Sequence, residues 1–442
     1  MKRLIALVCC LSACATPPQP LSSKVNLPPQ FVEDGDWIVH AAEARPRGAW
    51  WKGFNDAALD MLLARAETGN PNLAVAAARY RAATALLARI EAEQRPQAGL
   101  EAGAKLGSRT KRDASLGLAA SWEIDLWGRT VLRTDAARAD AAASQSDLDA
   151  ARLSLQALTV EAWYRLQTAR QKQALLQQAI ETQAQLQHRI AARFEAGVGT
   201  GLDVASAAEA METLKVRAER AALEQSLARS ALAELLGEPD WQASESQPLP
   251  MLVAPPKTLP STLLRGRPDI TAAAQRVAAA NARMGLAQSA WYPTLDLGAS
   301  AGLSGSSLNQ LLSRPLQTWS LGPSLALTVL DFGARQQDVD KARAEADAAT
   351  ASYRETVLRA FRETEDALAA VRWLDRAAQH QTAALQAADA AQQLATARFD
   401  AGTVSRLEVL LATRNALDAR IATLELWRER LVARVALLKI QG

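Results

Sequence analysis

The 442-residue chain carries 50 Lys and Arg against 47 Asp and Glu, a formal net charge of +3. A balance this near neutral gives no electrostatic case for nucleic acid as a partner. A chain of this length would ordinarily divide into two or three compact domains.

At the amino terminus, Lys2 and Arg3 precede an apolar run from Leu4 to Leu11. The run is too short to remain as a membrane-spanning helix and reads as a secretory signal covering residues 1–13. It ends in Leu11-Ser12-Ala13-Cys14, which resembles the bacterial lipobox. By that resemblance Cys14 becomes the first mature residue and carries covalent lipid, and Ala15, which is not Asp, favours delivery to the outer membrane. Cys9 and Cys10 leave with the signal, so the mature chain has no thiol pair for a disulfide or a Cys-based metal site. No mature stretch is apolar over the roughly 18 residues that a spanning helix needs, so any crossing of a bilayer falls to strands.

Residues 14–48 form the lipid anchor and its tether, with Pro17, Pro18, Pro20, Pro28 and Pro29 keeping the chain extended. A first repeat is read over 49–240. Trp50-Trp51-x-x-Phe54, followed by Leu59 and Leu62, has helical spacing and reads as core. Asn70-Pro71 opens a helix running to about Gln94, with a good N-cap and Pro at the first helical position. Beyond Pro96 the period falls to 2: Ala98, Leu100, Ala102 and Ala104 alternate with Gly99, Glu101, Gly103 and Lys105, and Leu116, Leu118, Ala120, Trp122 and Ile124 alternate in return. This hairpin, about 97–127, has one apolar and one polar face, and its ten-residue strands match a tilted crossing of a bilayer. Trp122 and Trp127 lie towards one end, where an interfacial aromatic belt would sit. From Arg129 to Ala196 there is neither Pro nor Gly, and Leu148, Leu155, Ala162, Ala169 and Leu176 recur every seven residues. One helix of that span measures about 100 Å.

The helix ends in Ala192-Arg193-Phe194-Glu195-Ala196-Gly197, and after Thr200 a new helix starts at Leu202-Asp203-Val204. The same words return as Ala397-Arg398-Phe399-Asp400-Ala401-Gly402, Ser405 and Leu407-Glu408-Val409, an offset of 205. Gly197 and Gly402 read as left-handed C-caps, Arg193 and Arg398 as last-turn cations, and Thr200 with Asp203 and Ser405 with Glu408 as two capping boxes. Each set marks the tip of a long helical hairpin, near 197–203 and 402–408. The first return helix ends at Gly237 and Pro239, and a Pro-rich linker at 241–262 leads to a second repeat at 263–442. There Pro268 and Pro293 stand 25 residues apart, as do Pro71 and Pro96. A second hairpin at about 294–332 places Leu295, Leu297, Ala299, Ala301 and Leu303 on one face, with Trp319, Leu321, Leu325, Leu327 and Val329 on the returning strand. The repeat offset grows from 197 before this hairpin to 205 after it, so the extra residues belong at its Ser304 to Pro315 tip. A second Gly-free helix carries Val357, Ala360, Thr364, Ala367, Val371 and Leu374 at a and d positions, and its partner runs to Gly442, the repeat mate of Gly237.

Four strands cannot close a barrel, and an open sheet edge in lipid leaves amides unpaired, so other subunits must complete it. Two copies give eight strands with a side-chain-filled interior; three give twelve and a lumen. Gly99, Gly103, Gly298, Ser300 and Gly302 on the polar face suit a water-filled bore, which favours a homotrimer.

With these elements placed, the chain resembles the outer membrane factor family, the TolC-like exit ducts of tripartite efflux systems, and within it the lipoprotein branch similar to OprM and NodT. The resemblance rests on Trp50-Trp51-x-x-Phe54, on Arg267-Pro268-Asp269-Ile270, Ala278-Ala279-Ala280-Asn281-Ala282 and Tyr292-Pro293, on the duplicated Ala-Arg-Phe-x-Ala-Gly, and on the lipobox. It implies a mainly α fold with membrane β: a trimeric twelve-stranded barrel plus an α-helical tunnel extending into the periplasm. It further implies no enzymatic role, no cofactor beyond the lipid on Cys14, and partnership with a membrane-fusion adaptor and an inner-membrane pump. Arg193, Gly197, Thr200, Asp203, Arg398, Gly402, Ser405 and Glu408 would form the periplasmic tip that meets the adaptor. Some relatives carry a further gate Asp three positions beyond the place of Glu408, where this chain has Leu411. The alternatives are a pore-less coiled-coil lipoprotein scaffold, which leaves the amphipathic hairpins unexplained, and the exit duct of a polypeptide secretion system. For catalysis the motifs are missing: His40, His188 and His380 form no HExxH, Gly302-x-Ser304-Gly305-Ser306 fails the nucleophile-elbow pattern, and Gly197-x-Gly199-x-Gly201 lacks a preceding strand.

Overall fold

A computed structural model gives the fold and describes residues 48–106, 112–243, 247–252, 266–305, 313 and 316–441. The signal segment, Cys14, the tether, most of the 241–262 linker and the tips of both β-hairpins lie outside the described residues.

A 3-10 turn, Trp50–Phe54, leads into α1 (Ala57–Gly69) and α2 (Pro71–Glu93). Strands β1 (Gln97–Leu106) and β2 (Arg112–Ile124) follow, then α3 (Arg129–Glu195) and α4 (Gly201–Leu236). The pattern recurs as α5 (Pro268–Ser289), β3 (Thr294–Gly305), β4 (Leu316–Ala326), α6 (Ala334–Asp400) and α7 (Arg406–Gln441). Helices α3 and α6 have 67 residues each, and α4 and α7 have 36 each. No helix among the described residues is long and apolar enough to cross a membrane.

The described residues form two compact units, one from 76–148 and 269–357, the other from 48–75, 149–268 and 358–441. Each draws on both sequence repeats, so the copies are interleaved and neither is a domain by itself. In the first unit all four strands join one antiparallel sheet in the order β1-β2-β3-β4. Its register aligns side chains of one kind across the whole sheet, as the period of 2 requires. Leu100, Leu118, Ala301 and Trp319 lie in one row, and Ala98, Ala120, Ala299 and Leu321 in the next. The opposite face aligns Gly99, Ala119, Ser300 and Ser320, then Glu101, Gly117, Gly302 and Thr318. Helices α5 and α3 both bury alanines and are tied by ion pairs. Ala272, Ala279, Ala136 and Ala143 are buried, and the Arg276–Asp147 and Arg283–Asp140 ion pairs link the two helices one heptad apart.

Strand β4 corrects the sequence reading at one point. It ends at Ala326, so Leu327 and Val329 lie outside the strand and are exposed. The cause is local: β3 starts at Thr294, directly after Pro293, and Pro293 has no N–H to extend the ladder past the Thr294–Ala326 pair.

The second unit is helical. The heptad positions Leu155, Ala162, Ala169 and Leu176 of α3 are buried, as are Ala360, Thr364, Ala367 and Val371 of α6. Leu176 and Ala179 pack with Leu214 and Ala221 of α4 and with Leu417 and Ile421 of α7. Asp56 caps α1, its Oδ1 accepting from the Ala58 and Leu59 amides at 3.0 and 3.1 Å. Its Oδ2 accepts from Trp163 Nε1 at 2.8 Å and Tyr164 OH at 3.2 Å, both on α3. Beside it, Trp50 Nε1 donates to Gln156 at 3.3 Å, and Phe54 is buried against Tyr164. The Trp-Trp-x-x-Phe stretch therefore clamps the turn ahead of α1 onto α3. Where α1 ends, Asn70 Oδ1 accepts from the Leu73 amide at 2.9 Å as the N-cap of α2, and Asn70 Nδ2 donates to the Leu235 carbonyl.

Candidate functional site

Two places combine exposure with defined geometry: the paired helical tips and the sheet. At the first tip Gly197 has φ 76°, in the left-handed region that a side chain resists. Its amide donates to the Phe194 carbonyl at 2.9 Å and the Val198 amide donates to the Arg193 carbonyl at 3.0 Å. These are the two bonds of a Schellman C-cap, which satisfy carbonyls a helix end would leave bare. The second tip repeats it: Gly402 has φ 74°, its amide donates to Phe399 at 2.8 Å, and the Thr403 amide donates to Arg398 at 2.9 Å. Arg193 and Arg398 stand in the last turns of α3 and α6, where a cation suits the negative end of the helix dipole.

The following turns differ. In the first copy the capping box closes: the Asp203 amide donates to Thr200 Oγ1 at 3.2 Å, and the Thr200 amide and hydroxyl donate to Asp203 Oδ2 at 3.0 and 2.8 Å. The hydroxyl of Thr200 first, then its amide, and then the charge of Arg193 hold the Asp203 carboxyl below the usual carboxylate range. In the second copy the expected box does not form. Among the described residues no side-chain hydrogen bond joins Ser405 to Glu408; the Glu408 amide donates to the Ser405 carbonyl at 3.1 Å. Glu408 has one more side-chain torsion to fix than Asp203 and remains exposed to water. The turn is tied earlier, by Thr403 Oγ1 donating to the Arg398 carbonyl at 2.9 Å and by the Arg406 guanidinium 5.5 Å from the Phe399 ring. The tips thus share their C-caps and differ in their acids: Asp203 is hydrogen-bonded by its own turn, and Glu408 is exposed without such a bond among the described residues. Leu411, three positions on, is partly exposed and carries no charge.

The sheet is the second site. On its apolar face Leu100 is 71% exposed and Trp319 81%. An apolar face of four strands so open to solvent marks an interaction surface. One end carries aromatic side chains fixed by their polar atoms. Trp122 Nε1 donates to the Gln94 carbonyl at 2.9 Å, and Trp127 Nε1 donates to the Pro293 carbonyl at 2.8 Å while stacking on Tyr292 with ring centroids 5.0 Å apart. Sequence reasoning found the two tryptophans but missed Trp291, whose ring lies 4.6 Å from the Arg335 guanidinium. The signal was present in Trp291-Tyr292-Pro293, an aromatic pair at the helix-to-strand junction. Amphipathic rings of this kind, apolar in body with a bonded polar atom, favour a membrane–water boundary.

The family model for outer membrane efflux proteins matches residues 62–238 and 259–442. The outer membrane protein OprJ of Pseudomonas aeruginosa is 34% identical over 356 residues, spanning 79% of this chain and 74% of OprJ. The pyoverdine export outer membrane protein OpmQ of the same organism is 29% identical over 464 residues, spanning 100% of this chain and 97% of OpmQ. Among solved structures the outer-membrane channel OprN matches with a TM-score of 0.82 at 29% identity, over 97% of this chain and 99% of that one. An apolar sheet face framed by aromatics, long paired helices and a duplicated plan, together with these matches, place the chain in the outer membrane efflux protein family, as a TolC-like channel component in the outer membrane.

Proposed function

We propose that three copies assemble into one passive exit duct, with twelve strands closed into a barrel and the long helices forming a tunnel in the periplasm. The observation that carries this reading is the four-stranded sheet, which exposes large apolar side chains on β1, β2 and β4 and, among the described residues, has no strand paired to the outer edge of β1 or of β4. In hydrocarbon each unpaired backbone group costs several kcal/mol, so both edges must meet another strand. Eight strands would enclose a core filled by side chains, whereas twelve leave room for water. The glycines and serines of the polar face, Gly99, Gly103, Gly298, Ser300 and Gly302, keep such a bore clear. The duct does no chemistry of its own: an inner-membrane pump supplies energy, and a periplasmic adaptor docks on the tips formed by Arg193 to Asp203 and Arg398 to Glu408. Acylated Cys14 fastens the amino terminus to the outer membrane, and Cys14→Ser abolishes acyl labelling; unchanged labelling removes the anchor.

Mass measurement in detergent, combined with conductance in planar bilayers, tests the channel. Three chains per particle with steady ion conductance are expected. A stable monomer, or a trimer that never conducts, overturns the reading.

A further inference from the structure

The strand register contains more information than the single chain uses. The two hairpins are repeat mates, with β3 lying 197 residues beyond β1, as Pro293 lies beyond Pro96. Strand β4 lies 205 beyond β2, as Gly333 lies beyond Gly128, both glycines having positive φ. Advancing β1 by 197 and β2 by 205 turns the observed pair Gln97–Ser121 into Thr294–Ala326, and Glu101–Gly117 into Gly298–Gly322, which are themselves observed pairs. The structure therefore obeys the sequence repeat to the residue within each hairpin.

The middle pairing, β2 with β3, joins the end of the first copy to the start of the second. In a closed ring of identical chains, the repeat mate of that junction is β4 of one subunit beside β1 of the next. We infer that the subunits join in the register this operation dictates: Gly103 opposite Ser324 of the partner subunit, Ala102 opposite Leu325 of the partner subunit, and Leu100 opposite Leu327 of the partner subunit. These pairs are the images of Ser300–Ala119, Ala299–Ala120 and Leu297–Trp122, all observed inside the chain. The inference deepens the ring reading above and rests on it, but it holds for whatever number of copies closes the ring.

Two further observations agree with it. The register sets even-numbered residues of β1 against odd-numbered residues of β4, so apolar meets apolar and small or polar meets small or polar. A slip of one residue would turn every side chain of the joining strand to the wrong face. The residues that follow Ala326 also find partners. Leu327, Thr328 and Val329 are repeat mates of Trp122, Glu123 and Ile124, which pair with β3 alone. Their partners in the proposed register are Leu100, Gly99 and Ala98 of the next subunit, so β4 stops at Ala326 in one chain and continues through Val329 when a neighbour is present.

Oxidative cross-linking of double-cysteine variants in the assembled protein tests the register. Gly103→Cys with Ser324→Cys, and Ala102→Cys with Leu325→Cys, cover both the wide and the narrow pair types that alternate along antiparallel strands. At least one of the two should give covalent oligomers in several-fold higher yield than Gly103→Cys combined with Gly322→Cys or with Ala326→Cys, the two slips that preserve the faces. A ring of native mass that cross-links best at either slipped pair, or at none of the four, overturns the register and leaves the channel standing. A monomer by mass removes the ring itself. Hydrogen exchange needs no substitution and gives a second reading: amides within Leu327 to Val329 should be protected in the assembled particle, and full exchange there in an intact ring also overturns the inference.

Discussion

Asp56→Ala removes one carboxylate from four donors at once. Two are the Ala58 and Leu59 amides at the start of α1; the others are Trp163 Nε1 and Tyr164 OH on α3. Loss of an N-cap costs about 1 kcal/mol. Trp163 and Tyr164 are each 1% exposed, so water does not replace the lost acceptor, and each stranded donor costs about 1–3 kcal/mol. The expected total is about 3–7 kcal/mol against the docking of α1 on α3. Burial first and the Asp56 charge second push the Tyr164 phenol far above its usual range, so it stays a protonated donor at any working pH. Asp56→Asn keeps one oxygen and an equally good cap, and should cost about 1–3 kcal/mol. Native-state hydrogen exchange of the α1 amides between Leu59 and Ala66 reads the opening free energy directly. The order wild type, Asn, Ala is expected. A change below about 0.5 kcal/mol in Asp56→Ala, the size of an ordinary surface substitution, would refute the clamp.

Gly237→Ala should be among the most damaging single-methyl additions in the chain, because φ is 70° and the new Cβ would lie 2.3 Å from the Gly69 carbonyl oxygen. A loss of more than about 2 kcal/mol, read as a lower melting temperature, is expected; an unchanged melting temperature would contradict the close approach of the two backbones. At the tips, Asp203 has a depressed folded pKa, so its contribution to the first turn is complete above the ordinary aspartate range of about 4 and fades as pH falls through the lower folded value. Exchange at the Thr200 amide should therefore accelerate in acid beyond its intrinsic rate, with Asp203→Asn removing the pH dependence and Ser405→Ala leaving the second turn nearly unchanged. If Glu408 helps to line the conducting path, Glu408→Gln reduces cation selectivity in bilayer recordings more than Asp203→Asn, because the Asp203 carboxylate is already hydrogen-bonded by Thr200. Equal selectivity in all three proteins would move the gate to other tip residues.

The parts legible in the sequence were those written as periods. Alternation placed the strand faces, heptads found the buried stripes of α3 and α6, and the duplicated Ala-Arg-Phe-x-Ala-Gly located both C-caps to the residue. What escaped was held by contacts between distant positions. Asp56 looks like an ordinary N-cap until the fold brings Trp163 and Tyr164 to it from more than a hundred residues away. Ser405-x-x-Glu408 has the composition of a capping box, but whether an acid closes on its own turn depends on side-chain conformation, which the pattern does not encode. The repeats follow one another in sequence, yet hairpins and helices of both copies mix in each compact unit. Sequence order records how the chain was duplicated and says little about which faces meet.

The equal lengths of the duplicated helices, 67 and 67, 36 and 36, mean that spacing has been kept where the letters have diverged. One residue inserted into α3 would turn everything beyond it by about 100° and advance it by about 1.5 Å, so its buried stripe would rotate out of contact while that of α6 stayed in place. Indels are thus forbidden singly in either long helix and would have to arise in matched pairs, a far rarer event than substitution. Between the Pro71–Pro268 mates and the Gly237–Gly442 mates, the offset changes from 197 to 205 between β3 and β4, where no heptad phase has to be kept. An epitope tag or reporter peptide belongs in that connection, and the four long helices act as a ruler whose graduations evolution can repaint but not move.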